Sequence, residues 1–95
     1  MMSWKAGFCV NYQGVPARFA FAYPGRLWWV VEDLCTVFHI PESPSIIFLD
    51  IESDDKAELQ PYQTQVVNSA ALHPWVEPAA LEQFHTWIRG WLFPV

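Results

Sequence analysis

The sequence predicts an α+β fold: a small antiparallel β-meander packed against short helices and a C-terminal amphipathic helix. Three observations carry that expectation. Aromatic residues alternate with period two in the first third, the spacing turns helical at Glu32, and an apolar stripe runs along the last segment. The 95 residues are the length of one domain, taken here as 1–95, since chains divide into several cores only beyond roughly 250 residues. Hydrophobic residues make up 53% and charged residues 16%, far from the polar, highly charged balance that leaves a chain without a core.

Gly7 to Tyr12 is a short apolar stretch closed by the turn signal Gln13-Gly14. Val15, Ala17, Phe19, Phe21 and Tyr23 then alternate with Pro16, Arg18, Ala20 and Ala22, the pattern of a strand with one face on the core. Pro24-Gly25 is a second turn signal, and Leu27-Trp28-Trp29-Val30-Val31 has the β-branched and aromatic make-up of another strand. From Glu32 the chain reads as a short helix through Leu34, Val37 and Phe38, with Glu32-Asp33 favourable at its N-terminal dipole and His39-Ile40-Pro41 ending it. Ser43 as a cap followed by Pro44 predicts a second short helix over 45–50. The segment 50–58 reads as an acidic, polar connection, Thr64 to Val67 as a strand, and Asn68 as the cap of a helical turn reaching Leu72. Glu77-Pro78 opens the last helix; Leu81, Phe84, Ile88 and Leu92 form its core-facing stripe, Arg89 suits its C-terminal dipole, and Pro94 stops it.

The aromatic content of 17% includes six tryptophans, Trp4, Trp28, Trp29, Trp75, Trp87 and Trp91. Each buries roughly 150–250 Å² when packed, so a small core is expected to leave one or two at the surface, where exposed aromatics mark interfaces. Ten acidic residues face five basic ones, a net charge of −5, which repels phosphate and anionic lipid. No run of about 18 apolar residues offers a membrane span, and Met1-Met2-Ser3-Trp4-Lys5 lacks the apolar stretch of a secretory signal. Two cysteines, Cys9 and Cys35, are too few for a disulfide framework, so a reducing, cytoplasmic setting and buried free thiols are expected.

Catalytic machinery is not visible. His39, His73 and His85 are scattered singly, and no short paired spacing of His or Cys suggests a metal site. Cys35 and His39 stand i, i+4, the spacing of a thiolate–imidazolium pair; a core thiol and a helix-end histidine explain them more simply. The adjacent carboxylates Glu32-Asp33 and Asp54-Asp55 do not converge on one point. Gly7, Gly14, Gly25 and Gly90 are isolated, so there is no phosphate-cradling loop. No catalytic residue, metal or cofactor is therefore expected, and the chain is read as a binding protein, not an enzyme.

One stretch carries a resemblance. Gly25-Arg26-Leu27-Trp28-Trp29-Val30-Val31-Glu32-Asp33-Leu34-Cys35-Thr36-Val37-Phe38-His39-Ile40 resembles the G-x-x-W/F-F/W-V-A-x-D-V-C-x-x-L-G-I segment of the Bro-N domain. That domain occurs in baculovirus Bro proteins and in phage or prophage antirepressors. Residues 78–94, with Phe84 and Trp87, are similar to the closing A-x-x-F-x-x-W-V-x-x-E-V-L-P helix of the same family. The resemblance implies that Asp33 is the characteristic acid opening the helix, that Trp28 and Trp29 belong to the strand before it, and that Phe84 and Trp87 complete the fold signature. Two departures bear on function. Glu32 stands where members often carry a basic residue, and the N-x-x-G-L-Y-x-L segment is reduced to Asn68-Ser69-Ala70-Ala71-Leu72-His73-Pro74-Trp75. The second domain that often follows Bro-N is not expected after Val95.

The family implies a phage-type regulator working in a bacterial cytoplasm, with DNA binding in some members. Duplex affinity comes largely from Lys and Arg neutralising phosphates, and this chain has only Lys5, Arg18, Arg26, Lys56 and Arg89. Arg18 and Arg26 share a predicted hairpin and form the one candidate basic patch. A protein partner, a repressor or a host factor, suits an acidic surface bearing aromatic anchors better than DNA does. Trp4, Trp75 and Trp91, with Arg18 and Arg26, are the candidate contact residues. A homodimer through the face bearing Trp87 and Trp91 is compatible with either activity.

Overall fold

Two backbone conformations set the first hairpin: Gln13 at φ 51° and Gly14 at φ 84°, the pair of positive values that a two-residue type I′ turn requires. No atom lies within 4 Å of where a Cβ on Gly14 would sit, so the backbone conformation, and not space, selects glycine there. The computed structural model describes residues 8–22, 26–60 and 62–92, with the backbone alone at 21, 22, 26, 91 and 92. On either side of the turn lie β1 (Phe8–Tyr12) and β2 (Val15–Ala22), followed by β3 (Arg26–Val30). The expected turn at 23–25 and the stop at Pro94 lie outside the described residues.

Strand β3 passes into helix α1 (Val31–Val37) with no intervening loop. Strand pairing between β2 and β3 runs from Ala22↔Arg26 to Phe19↔Trp29, so the first half of β2 overhangs the end of β3. Pro16 sits in that overhang. Residues two apart in a strand aim their amides the same way, and the Arg18 amide donates to a carboxylate of α1 on this side. The donor that proline lacks would have pointed past the end of β3, so no ladder bond is lost.

Helix α1 ends in a Schellman arrangement: the Ile40 amide donates to Cys35 O at 2.9 Å and His39 takes φ 54°. Ile40 is buried beside it. Helix α2 (Pro44–Asp50) follows, with proline at its first position as expected. Ser43 occupies the cap position but makes no side-chain cap bond; its carbonyl instead accepts from the Ile46 and Ile47 amides.

The acidic connection expected over 50–58 is partly a strand. A 3₁₀ turn at Ser53–Asp55 leads into β4 (Lys56–Leu59), which pairs with β5 (Thr64–Val67). Strand β5 inserts between β3 and β4, giving the antiparallel order β1-β2-β3-β5-β4. A 3₁₀ turn at Ser69–Leu72 is capped as expected, with Asn68 Oδ1 accepting from the Ala70 amide at 3.1 Å. Helix α3 (Pro78–Leu92) closes the described chain. The fold is thus the α+β arrangement that the periodicities predict.

The helices cover one face of the sheet. Val10, Tyr12, Ala17, Phe19, Trp29 and Val67 point into that core, where Leu34, Ile47, Leu72, Leu81, Phe84 and Ile88 meet them. Phe84 is fully buried and stands at its centre, with edge-to-face contacts to Tyr12 (5.0 Å), Trp29 (5.0 Å) and Phe38 (5.4 Å). Such contacts add to area burial. The opposite face carries a smaller cluster of Trp28, Val30 and Val66, flanked by Ala57 and Leu59.

Truncation of Phe84 to alanine removes the ring on which three others converge and leaves a cavity, at an expected cost of about 3–5 kcal/mol. Urea denaturation measures it, and the variant should unfold at a much lower midpoint or fail to fold.

Candidate functional site

Arg18 projects from β2 and Asp33 from the first turn of α1, fifteen residues apart. Asp33 Oδ2 accepts from the Arg18 amide and from its Nε, both at 2.9 Å, and Oδ1 accepts from Nη2 at 3.1 Å. This is a two-pronged guanidinium–carboxylate pair with a backbone bond added. The Arg18 side chain is 56% exposed and Asp33 15%. The hydrogen bond first, and then the charge of Asp33, raise the Arg18 guanidinium further above its already high ordinary pKa. Asp33 therefore does more than favour a helix dipole: it ties the overhanging edge of β2 to α1.

Lys56 is engaged in the same inward fashion. Its ammonium donates to Phe48 O at 2.8 Å and Leu49 O at 3.3 Å, and lies 5.0 Å from the Phe48 ring centroid. It satisfies carbonyls at the C-terminus of α2, where a cation also suits the helix dipole. Arg89 Nη2 donates to Thr86 Oγ1 at 3.4 Å on the outside of α3.

The register places Arg26 opposite Ala22, four residues along β2 from Arg18, a separation of about 13 Å at the usual rise. Trp28 and Trp29 are buried on opposite faces of β3. Trp87 is half-buried, its ring 5.1 Å from that of Tyr12. Trp75 is half-buried and packed against the main core. Trp4 lies outside the described residues, as do the side chains of Arg26 and Trp91.

Three open grooves mark the surface. One, about 600 Å³, is lined by Arg18, Glu32, Pro44 and Ser45, with Tyr62 and Gln63 of the β4–β5 hairpin. A second, about 370 Å³, is walled by Tyr12, Phe38, Trp75 and Glu77. The third, about 310 Å³, is lined by Asp50, Glu52, Asp55, Asn68, His73 and Trp75, among others. Trp75 thus lines two of the grooves. The exposed large apolar residues among those described are Phe8, Ile46, Leu49 and Tyr62. Composition singled out none of them as candidates, because an apolar run such as Ile46-Ile47-Phe48-Leu49 carries no polar marker of which side faces out.

One polar contact had no sequence signal. Ser69 Oγ lies 2.7 Å from His85 Nε2, joining the 3₁₀ turn to α3. Ser69 is 6% exposed and lines none of the three grooves, so the pair acts as a clamp. Burial first, and the charge of Arg89 second, lower the His85 pKa. Cys35 is buried, and burial with the nearby charges of Glu42 and Glu32 pushes its thiol up, away from the thiolate that a Cys35–His39 pair would need. Cys9 is exposed. Among the described residues no three His, Cys, Asp or Glu side chains converge as a metal site, and no helix is long and apolar enough to cross a membrane.

Two outcomes follow from these geometries. Asp33→Ala strands both the amide and the guanidinium of Arg18, whereas Arg18→Ala keeps the amide bond. Chemical denaturation should therefore show a loss of about 1–3 kcal/mol for Asp33→Ala and a smaller loss for Arg18→Ala. The lowered His85 pKa means that the unfolded chain binds a proton before the folded one does. Its contribution to stability is full above the unfolded value of about 6.5 and is lost as pH falls towards the folded value. Between pH 7.5 and 5.5 the urea midpoint of the wild type should fall further than that of His85→Gln.

Comparison of the chain with protein-family models, with curated proteins and with solved structures finds no match.

Proposed function

We propose that this chain is a small regulatory protein of the Bro-N type that acts by binding a protein partner, as an antirepressor or an inhibitor of a host factor would, without catalysis. The observation that carries the reading is the engagement of its cations. Of five basic residues, the three whose side chains are described all bond within the fold: Arg18 to Asp33, Lys56 to the end of α2, and Arg89 to Thr86. A duplex-binding surface needs cations free to displace counterions from phosphates. An acidic surface is instead suited to a basic protein partner, which charge steers and apolar anchors hold.

The Bro-N reading is supported by the two motif-like segments and by the element order in which they fall. Residues 25–40 span β3 and α1, and residues 78–94 span α3. Asp33, the residue that the resemblance marks, is also the one that joins strand to helix. Trp29 and Phe84, from the two segments, are in contact in the core. A phage or prophage setting, with action in the bacterial cytoplasm, goes with this reading.

The alternative is a Bro-N-type transcriptional regulator that binds DNA directly, and gel-shift titration separates the two. The purified protein should give no shift of random duplex DNA at physiological salt. A shift that weakens steeply as salt rises would favour the DNA-binding reading instead.

A further inference from the structure

We propose that the outward face of α2, centred on Ile46 and Leu49, docks a basic amphipathic segment of a protein partner. The inference rests on the protein-binding reading above and names the chemistry of the partner.

Helix α2 has four apolar residues in a row but only one face on the core. Ile47 and Phe48 are buried in it, while Ile46 is 55% exposed and Leu49 74%. Single exposed leucines are ordinary. These two stand i, i+3, so they share one face of the helix and offer one contiguous apolar contact. Covering both removes their exposed apolar surface from water, which favours association.

The surroundings of this face select the occupant. Six of the ten acidic residues of the chain fall between Glu42 and Glu58. Glu42 precedes the helix, Asp50 ends it and Glu52 follows, all three exposed. Asp50, Glu52 and Asp55 also line the groove that includes Trp75. Lys56, the only Lys or Arg in the stretch, is turned to the Phe48 and Leu49 carbonyls.

An apolar centre rimmed by carboxylates matches a helix or strand presenting Leu-like side chains flanked by Lys or Arg. A cation entering the groove would meet a lining that includes the carboxylate residues Asp50, Glu52 and Asp55. A second copy of this chain is a poor fit, because a twofold contact sets the same patch against itself and would oppose carboxylate to carboxylate. Anionic lipid and nucleic acid are repelled for the same reason.

The test uses a synthetic amphipathic peptide of about 14 residues, roughly four helical turns, built from Lys and Leu, with a Glu/Leu peptide of the same pattern as control. Calorimetric titration gives the affinity and amide chemical shifts give the site. The Lys/Leu peptide should bind with shifts confined to α2 and the Trp75 region, and the Glu/Leu peptide should not bind. Ile46→Ser/Leu49→Ser should weaken binding at least about tenfold, while its melting temperature stays near that of the wild type because both side chains are exposed. Asp50→Asn/Glu52→Gln should weaken binding less and flatten its salt dependence. Equal binding by the Ile46→Ser/Leu49→Ser variant, equal binding of the Glu/Leu peptide, or a dimer in sedimentation that this variant dissolves would each overturn the proposal. A native partner that still binds the variant removes this site and leaves the protein-binding reading standing. Salt-sensitive duplex binding removes that reading itself.

Discussion

Asp33 stands where β3 leaves the sheet, and its carboxylate closes the gap that this departure opens. A strand running straight into a helix strips its neighbour of ladder partners, here along the first half of β2. Unpaired amides at such an edge are costly when shielded from water. Asp33 accepts the Arg18 amide and grips the Arg18 guanidinium with both oxygens, so β2 and α1 are joined without a loop between β3 and α1. The fixed start of α1 places Leu34 and Val37 on the sheet and brings Phe38 against Phe84. From there the aromatic network extends through Trp29 to Phe19 and through Tyr12 to Trp87.

Periodicity made much of this legible. The alternation of Val15, Ala17 and Phe19 and the stripe of Leu81, Phe84 and Ile88 each have one buried face and one exposed face, the condition under which a sequence reports its own geometry. Strand β4 has no such condition. Lys-Ala-Glu-Leu pairs on one side only and lies at the sheet edge, where charged residues are normal, so it reads as polar connection. The Arg18–Asp33 and Ser69–His85 contacts span fifteen and sixteen residues and belong to tertiary structure. No local pattern announces them.

The candidate contact residues were less legible than the fold. Trp75 and Arg18 are the members of the expected set whose side-chain surroundings are described, and Trp75 lines two grooves. Arg18, read from sequence as an ordinary surface charge or part of a basic patch, also ties β2 to α1 through Asp33. Ile46 and Leu49 escaped notice because apolar residues are read as interior unless something polar interrupts them. The charges divide in a way that composition alone does not reveal. The described cations each bond within the molecule, Arg18 and Arg89 while still exposed, and acids such as Glu42, Asp50 and Glu52 are exposed as well.

The inward engagement of Lys56 has an evolutionary corollary. Redirecting that ammonium towards an external anion would uncap α2 and release the Phe48 and Leu49 carbonyls, so the residue is not available for recruitment. Redirecting Arg18 would likewise reopen the edge of β2. New basic residues on the outer surface, where substitutions are nearly neutral for stability, are the route towards nucleic acid that leaves these two contacts intact. Specificity can then change by accretion at the surface while the scaffold beneath stays under separate constraint.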